Sequence, residues 1–291
     1  MPGDIIARLR TSVLVCEGAM GTLLMSRGAG GSSSAEANLT HPEMVAQIHR
    51  DYHSAGAQVF QTNTFAANPL MLERVGLLDR GPEIWSAAVR LCREAAGPEA
   101  LVGANIGPTG GLLAPLGDLT ADDAGAAFRR QLEAMLGPQV DFVLFESFES
   151  LDEIELAIKA LRGLDTRIPA AATMSFSVPN GRTSMGVDGA AAAARLGELN
   201  VQIIGASCGT PPGLELAFSE MAERTELPLM AQPNDGLPEI AGGKTIWRGT
   251  PAEAGELAAR LIACGARIVG GCCGSTPDHI LQVARAASAG A

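Results

Sequence analysis

Two adjacent cysteines occupy Gly270-Gly271-Cys272-Cys273-Gly274, and a third, Cys208, closes the apolar run VQIIGASC upstream. Flanking glycines allow the backbone to turn tightly, so that both neighbouring sulfurs can face one ion. Three thiolates leave one position open on a tetrahedral Zn2+, which suits a metal whose incoming ligand is itself a thiol. Such an ion lowers the thiol's pKa and holds it as a thiolate nucleophile at neutral pH. Two blander accounts compete: buried cysteines as core filler, and a vicinal disulfide or redox pair at 272–273. Neither explains why Cys208 stands at a comparable position. Cys16, Cys92 and Cys264 lack such settings and read as core filler.

These cysteines need elements that bring them together. Short apolar runs recur at 14–18, 59–63, 101–107, 141–147, 170–176, 201–208, 228–234 and 267–273, with helical spacing between them at 41–56, 82–96, 121–137, 151–163, 189–200, 212–225 and 251–265. Near-continuous apolar strands alternating with helices predict an α/β fold of the (β/α)8 TIM-barrel type, one domain over residues 1–291; an open doubly wound sheet is the alternative. Nearly every predicted strand ends in a polar or metal-capable residue: Glu17, Asn63, Asn105, Glu146, Ser175, Cys208, Asn234, and the pair Cys272 and Cys273. In a barrel these ends share one mouth, where barrel chemistry is found.

Composition narrows the partners. The formal charge of −11 argues against nucleic acid and anionic membranes, whose binders cluster Lys and Arg. No apolar run reaches the roughly 18 residues of a membrane span, and the first residues lack a signal-peptide pattern, which points to a cytoplasmic protein. Six cysteines in 291 residues are too few for a disulfide scaffold. The segment 28–36, GAGGSSSAE, reads as a mobile active-site loop in the first β-to-α connection, and 241–247 as part of a long seventh loop. His49 and His53, one helical turn apart, fall on a helix outside the barrel and read as solvated or packing residues.

The ordered motifs EGAMGT (17–22), QTNTF (61–65), NIGPTG (105–110), FESF (145–148), NGRTSMG (180–186), ASCG (206–209), QPNDG (232–236) and GGCCGSTP (270–277) resemble the homocysteine S-methyltransferase family nearly end to end. The resemblance implies zinc on Cys208, Cys272 and Cys273, with the thiolate of homocysteine as fourth ligand. It further implies that the turn of Gly18, Ala19, Met20, Gly21 and Thr22 holds the substrate carboxylate through its backbone N–H groups, while Glu146 meets the α-ammonium. Consecutive amides in a glycine-containing turn do form an anion-binding concavity. Asn234 either lends an oxygen to the metal or ties loops together; Asn63 and Asn105 read mainly as structural amides.

Three departures stand out, because the family commonly has Asp at Glu17, Asn at Ser207 and Glu at Gln232. A longer arm at Glu17 bears on which amino-acid thiol fits the substrate site, and changes beside a metal alter its affinity roughly 10 to 100-fold. The donor is not written in these motifs. With one Tyr and two Trp there is little material for an aromatic cage around a quaternary ammonium. An S-methylmethionine-like sulfonium or a separate methyl-corrinoid protein is expected instead. The alternatives are a zinc- and homocysteine-binding subunit of a corrinoid methyltransferase system without activity of its own, and a methyltransferase acting on another thiol.

Overall fold

A computed structural model describes residues 4–164, 167–241 and 244–289, with the backbone alone for Lys244. The eight apolar runs become parallel strands: β1 (Leu14–Val15), β2 (Val59–Gln61), β3 (Leu101–Ile106), β4 (Phe142–Phe148), β5 (Ala170–Met174), β6 (Ile203–Ser207), β7 (Leu229–Gln232) and β10 (Ala266–Val269). Between β7 and β10 lies an antiparallel hairpin of β8 (Pro238–Ala241) and β9 (Lys244–Trp247). The strand order is β1-β10-β7-β6-β5-β4-β3-β2. A parallel bridge from Cys16 to Val59 and a hydrogen bond from Glu17 N–H to Val59 O (2.9 Å) close β1 onto β2. The result is a (β/α)8 barrel.

Strands wrapped by helices bury both faces, which is why their sequences are apolar throughout rather than alternating. Inward-facing Leu14, Val59, Leu101, Phe142, Leu144, Ile203, Met230 and Ile268 fill the barrel, and the helix Ile5–Leu9 contributes Ile5 and Leu9 to the same cluster. A larger cluster, including Trp85, Phe128, Phe148 and Phe218, fills the layer between strands and helices. Several mouth loops end in hydroxyl or carboxylate N-caps: Thr120, Ser150, Asp188, Thr210 and Thr250 each accept from a first-turn amide. These caps fix where each loop hands over to its helix.

Two expectations need adjustment. Most strands stop earlier than the apolar runs suggested, because polar mouth residues such as Asn63, Cys208 and Asn234 belong to loops; β10 ends at Val269, ahead of both cysteines, whereas Asn105 and Glu146 stay within β3 and β4. The segment 241–247 is not plain loop but half of the hairpin, although residues 242–243 lie outside the described residues. The hairpin rests on the cysteine-bearing turn, for a Cβ at Gly274 would stand 2.6 Å from the Trp247 ring.

Barrel closure leaves no slack between β6 and β7: a Cβ at Gly205 would stand 1.9 Å from the Met230 carbonyl oxygen. Gly205→Ala therefore forces these strands apart and is expected to lower the unfolding free energy by about 3 kcal/mol in urea titrations. A change under about 0.5 kcal/mol, the scale of a neutral surface substitution, would contradict this packing.

Candidate active site

Cys208 and the Cys272–Cys273 pair converge at the mouth, their three sulfurs within 4.8 Å of one another. Sulfurs bonded to one tetrahedral zinc at about 2.3 Å lie roughly 3.8 Å apart, so this donor set fits such an ion. The clamp is the loop after β7. Cys272 N–H donates to Pro233 O (2.8 Å), Cys273 N–H to Asn234 Oδ1 (3.0 Å), and Asp235 N–H to Cys273 O (3.0 Å). The other end of the Asn234 amide donates to Gly209 O (2.6 Å), which joins the loop of Cys208 to that of Cys273. Of its two expected roles, Asn234 fills the loop-tying one.

Cys208 itself has φ 60 and is followed by Gly209 at φ 69, a left-handed pair that turns the chain out of β6. The glycines before the cysteine pair serve close approach: a Cβ at Gly270 would stand 2.8 Å from Cys16 Cβ, and one at Gly271 2.6 Å from Ser275 Oγ. The sulfurs share charge unequally. Both partner thiols donate to Cys208 and pull its pKa down to about 3. Serving that thiolate raises Cys272 and pushes Cys273 up to about 12. Charge on the cluster therefore settles first on Cys208, and a cation favours ionising its two partners.

The sulfurs open into a cavity of about 490 Å³, within the range of small-molecule sites. Its lining includes Glu17 to Thr22, Gly30 to Ser34, Asn105, Glu146 and Ser147, and among the described lining residues there is no Lys, Arg or His. Thus the Gly/Ser stretch does form part of the site. Asn63 anchors it, donating to Ser34 O (2.8 Å).

In the 18–22 turn, Ala19 N–H is committed to Ser275 Oγ (2.9 Å), whose hydroxyl donates to Cys272 O (2.7 Å). Among the described residues, no acceptor is engaged by the amides of Met20, Gly21 and Thr22, which lead into the helix Gly21–Ser26. Those three N–H groups can bind an anion where no side-chain cation is present. Gly18 must be glycine, since a Cβ would stand 2.5 Å from Ser275 Oγ and 2.8 Å from the Tyr52 hydroxyl.

Glu146 is buried beneath the cavity and accepts from Asn105 Nδ2 (2.7 Å), so Asn105 has a more specific job than loop support. Burial drives the Glu146 carboxyl up to about 7; the Asn105 hydrogen bond opposes this, while Cys208 and Glu17 add like charge. Glu17 is differently placed. Its carboxylate accepts from Gln61 N–H (2.8 Å) on one oxygen and faces His49 Nδ1 (2.8 Å) on the other. Both oxygens are engaged, so the longer arm at this position reaches a helix rather than open cavity.

Of the two readings given to these histidines, His49 takes the packing one, fully buried on the inner face of the helix Pro42–Ser54, and His53 the solvated one. Sequence reasoning passed over Tyr52, whose single hydroxyl proton is shared between Ala19 O (2.9 Å) and Ser275 O (3.0 Å), so that the turn is pinned to the cysteine loop. The available signal was helical spacing: His49 and Tyr52 are three apart, on one face. Of the remaining departures, Gln232 is buried with Oε1 unpartnered and Nε2 3.7 Å from Cys16 Sγ. Ser207 is fully buried among hydroxyls.

The sequence profile described as homocysteine S-methyltransferase matches residues 14–287. Methionine synthase of Mycobacterium tuberculosis is 31% identical over 303 residues, covering 97% of this chain and 25% of that protein. Betaine–homocysteine S-methyltransferase 1 of Mus musculus is 31% identical over 306 residues, covering 96% and 74%. The chain thus spans about a quarter of the methionine synthase it matches. The metallated form of the homocysteine methyltransferase MmuM from Escherichia coli superposes with a TM-score of 0.82 at 25% identity, covering 97% of this chain and 99% of that one.

Glu146 provides a test of the site's electrostatics. Its folded-state pKa lies above the ordinary 4.5, so stability is full below about 4.5 and is lost as the pH rises through about 7. Glu146→Gln removes that loss. In metal-free protein, the variant is expected to gain on the order of 3 kcal/mol over the parent between about pH 4 and about pH 9, measured by paired urea titrations. A gap independent of pH would contradict the assignment.

Proposed function

The chain belongs to the homocysteine S-methyltransferase family, and on that premise we propose that it is a zinc-dependent methyltransferase acting on the thiol of homocysteine. The observation that carries this reading is the convergence in one cavity of the three sulfurs, Glu146 and the unengaged amides of Met20, Gly21 and Thr22. Each group of an aminothiol acid has a counterpart: sulfur with the cysteine cluster, ammonium with the Glu146 carboxylate, carboxylate with the amides. Bound zinc supplies Lewis acidity that keeps a substrate sulfur ionised at neutral pH.

The protein's own groups do the rest. Cys208, Cys272 and Cys273 hold the metal. Glu146, ionised once an ammonium sits against it, fixes the amino end, and Asn105 keeps its carboxylate pointed at the cavity. Glu17 acts indirectly, bracing Gln61 N–H and His49 beneath the turn. The methyl donor approaches from the mouth, past Met20, Met25 and Phe65. No Tyr or Trp lines this cavity among the described residues, which disfavours a cage for a quaternary ammonium and favours a small sulfonium such as S-methylmethionine. A methyl-corrinoid protein is the second donor reading, supported by exposed Met25, on the short helix Gly21–Ser26, and exposed Phe65, Leu112, Leu116 and Met185 on loops.

Purified protein is expected to hold one zinc per chain and to methylate homocysteine with S-methylmethionine. Activity with a methylated corrinoid protein alone would select the second donor; activity with neither, despite bound zinc and homocysteine, would leave only a binding subunit. Cys272→Ala is expected to lose zinc, and retention of the full metal content would overturn the ligand set.

Metal uptake also has a proton signature, because zinc takes thiolates, while burial and the neighbouring sulfur keep Cys272 and Cys273 protonated in its absence. Loading zinc near pH 7 is expected to release about two protons, read by calorimetry in buffers of different ionisation enthalpy. Release of none would mean that the thiols are not the ligands.

A further inference from the structure

Two residues that flank the site adopt left-handed backbone without being glycine: Ser147 at φ 58, next to Glu146, and Cys208 at φ 60. Ser147 stands on β4 and Cys208 directly follows β6, and those two strands are not neighbours in the barrel. Conformations of this kind persist only where their surroundings impose them. At Cys208 the N–H donates to Gln232 O (2.9 Å), and at Ser147 a cluster of three hydroxyls surrounds the backbone. Ser147 N–H donates to Ser207 Oγ (3.1 Å) and Thr173 Oγ1 (3.2 Å). The hydroxyls themselves lie 2.8 Å apart for Ser147 and Ser207, and 2.6 Å apart for Thr173 and Ser207. One consistent order runs from Ser147 O–H to Ser207, from Ser207 O–H to Thr173, and from Thr173 O–H to Phe145 O (3.4 Å).

Each hydroxyl comes from a different strand. Thr173 on β5 bridges the gap between β4 and β6, at the place where the pairing of β4 with β5 slips between Phe145 and Phe148. Ser207 and Thr173 are fully buried, and Ser147 lines the cavity. Among the described residues the Glu146 side chain accepts one hydrogen bond, from Asn105, so the backbone at 146–147 together with that amide sets how far its carboxylate stands from the Cys208 sulfur.

We propose that Ser207 is a specificity-determining residue: through Thr173 and Ser147 its hydroxyl fixes the span between the Glu146 carboxylate and the Cys208 sulfur, and hence the length of aminothiol that bridges them. The inference rests on the functional reading above, in which those two groups take the two ends of one substrate. Homocysteine and cysteine differ by one methylene, a difference that a fixed site can turn into about 10 to 200-fold discrimination. A loosened span accepts both.

The test is calorimetric binding of homocysteine and of cysteine to zinc-loaded protein, which needs no methyl donor. The parent is expected to favour homocysteine by at least about tenfold. Ser207→Ala and Thr173→Val are each expected to cut that ratio about fivefold with zinc content unchanged, while Thr173→Ser, which keeps the hydroxyl, leaves it alone. Should Ser207→Ala fail to fold, the two Thr173 variants decide. A ratio within twofold of the parent in Thr173→Val, or equal weakening toward both aminothiols, overturns the proposal and leaves the functional reading intact. A parent protein that binds neither aminothiol overturns both.

Discussion

Three cysteine sulfurs held within 4.8 Å of one another cannot all ionise unless a cation or shared thiol protons offset their mutual repulsion. That constraint organises the mouth of the barrel. The sulfurs come from two loops, after β6 and after β10, and the loop after β7 lies between them as a clamp whose backbone and Asn234 amide bond to both. Ser275 then carries the arrangement across to the 18–22 turn, bonding Cys272 O on one side and Ala19 N–H on the other. Tyr52 locks that junction from the helix behind it. The amides of the turn and the sulfurs of the cluster are therefore parts of one rigid assembly.

Much of this rigidity is local strain offset by the scaffold. Left-handed backbone at Ser147 and Cys208 costs on the order of 1 kcal/mol or more each. So does burying Glu146 against other anionic groups with a single amide as partner. An aqueous loop would relax such features. Here they are fixed at strand ends of a barrel whose interior packs without slack, as Gly205 against Met230 illustrates.

The barrel was legible because burial on both faces writes itself into sequence as repeated apolar runs, and each of the eight appears as a strand. The cysteines were legible by chemical type and adjacency. The supporting residues were not. Helical spacing marks a buried face for His49 and Tyr52 but does not reveal that the face ends against Glu17 and Ser275. Ser207 and Thr173 are common residues whose meaning arises only when three strands bring their hydroxyls together. Strand ends were read too long because the same residues that attract attention as chemistry, such as Asn234 and Cys272, are those that leave the ladder for loop contacts.

That no Lys, Arg or His stands among the described residues lining the cavity has a consequence for the direction of the reaction. Surrounded by Glu17, Glu146 and a cysteine thiolate, the cavity favours positive visitors, and an anionic carboxylate is accommodated only at the backbone amides. If a sulfonium donor meets a thiolate acceptor there, the methyl shift turns one cation and one anion into two uncharged thioethers. Charge annihilation of this kind is favoured where little water is present to solvate ions. It also removes the charge that held each sulfur, so that turnover loosens the sulfur end of both products while their amino-acid ends keep their contacts.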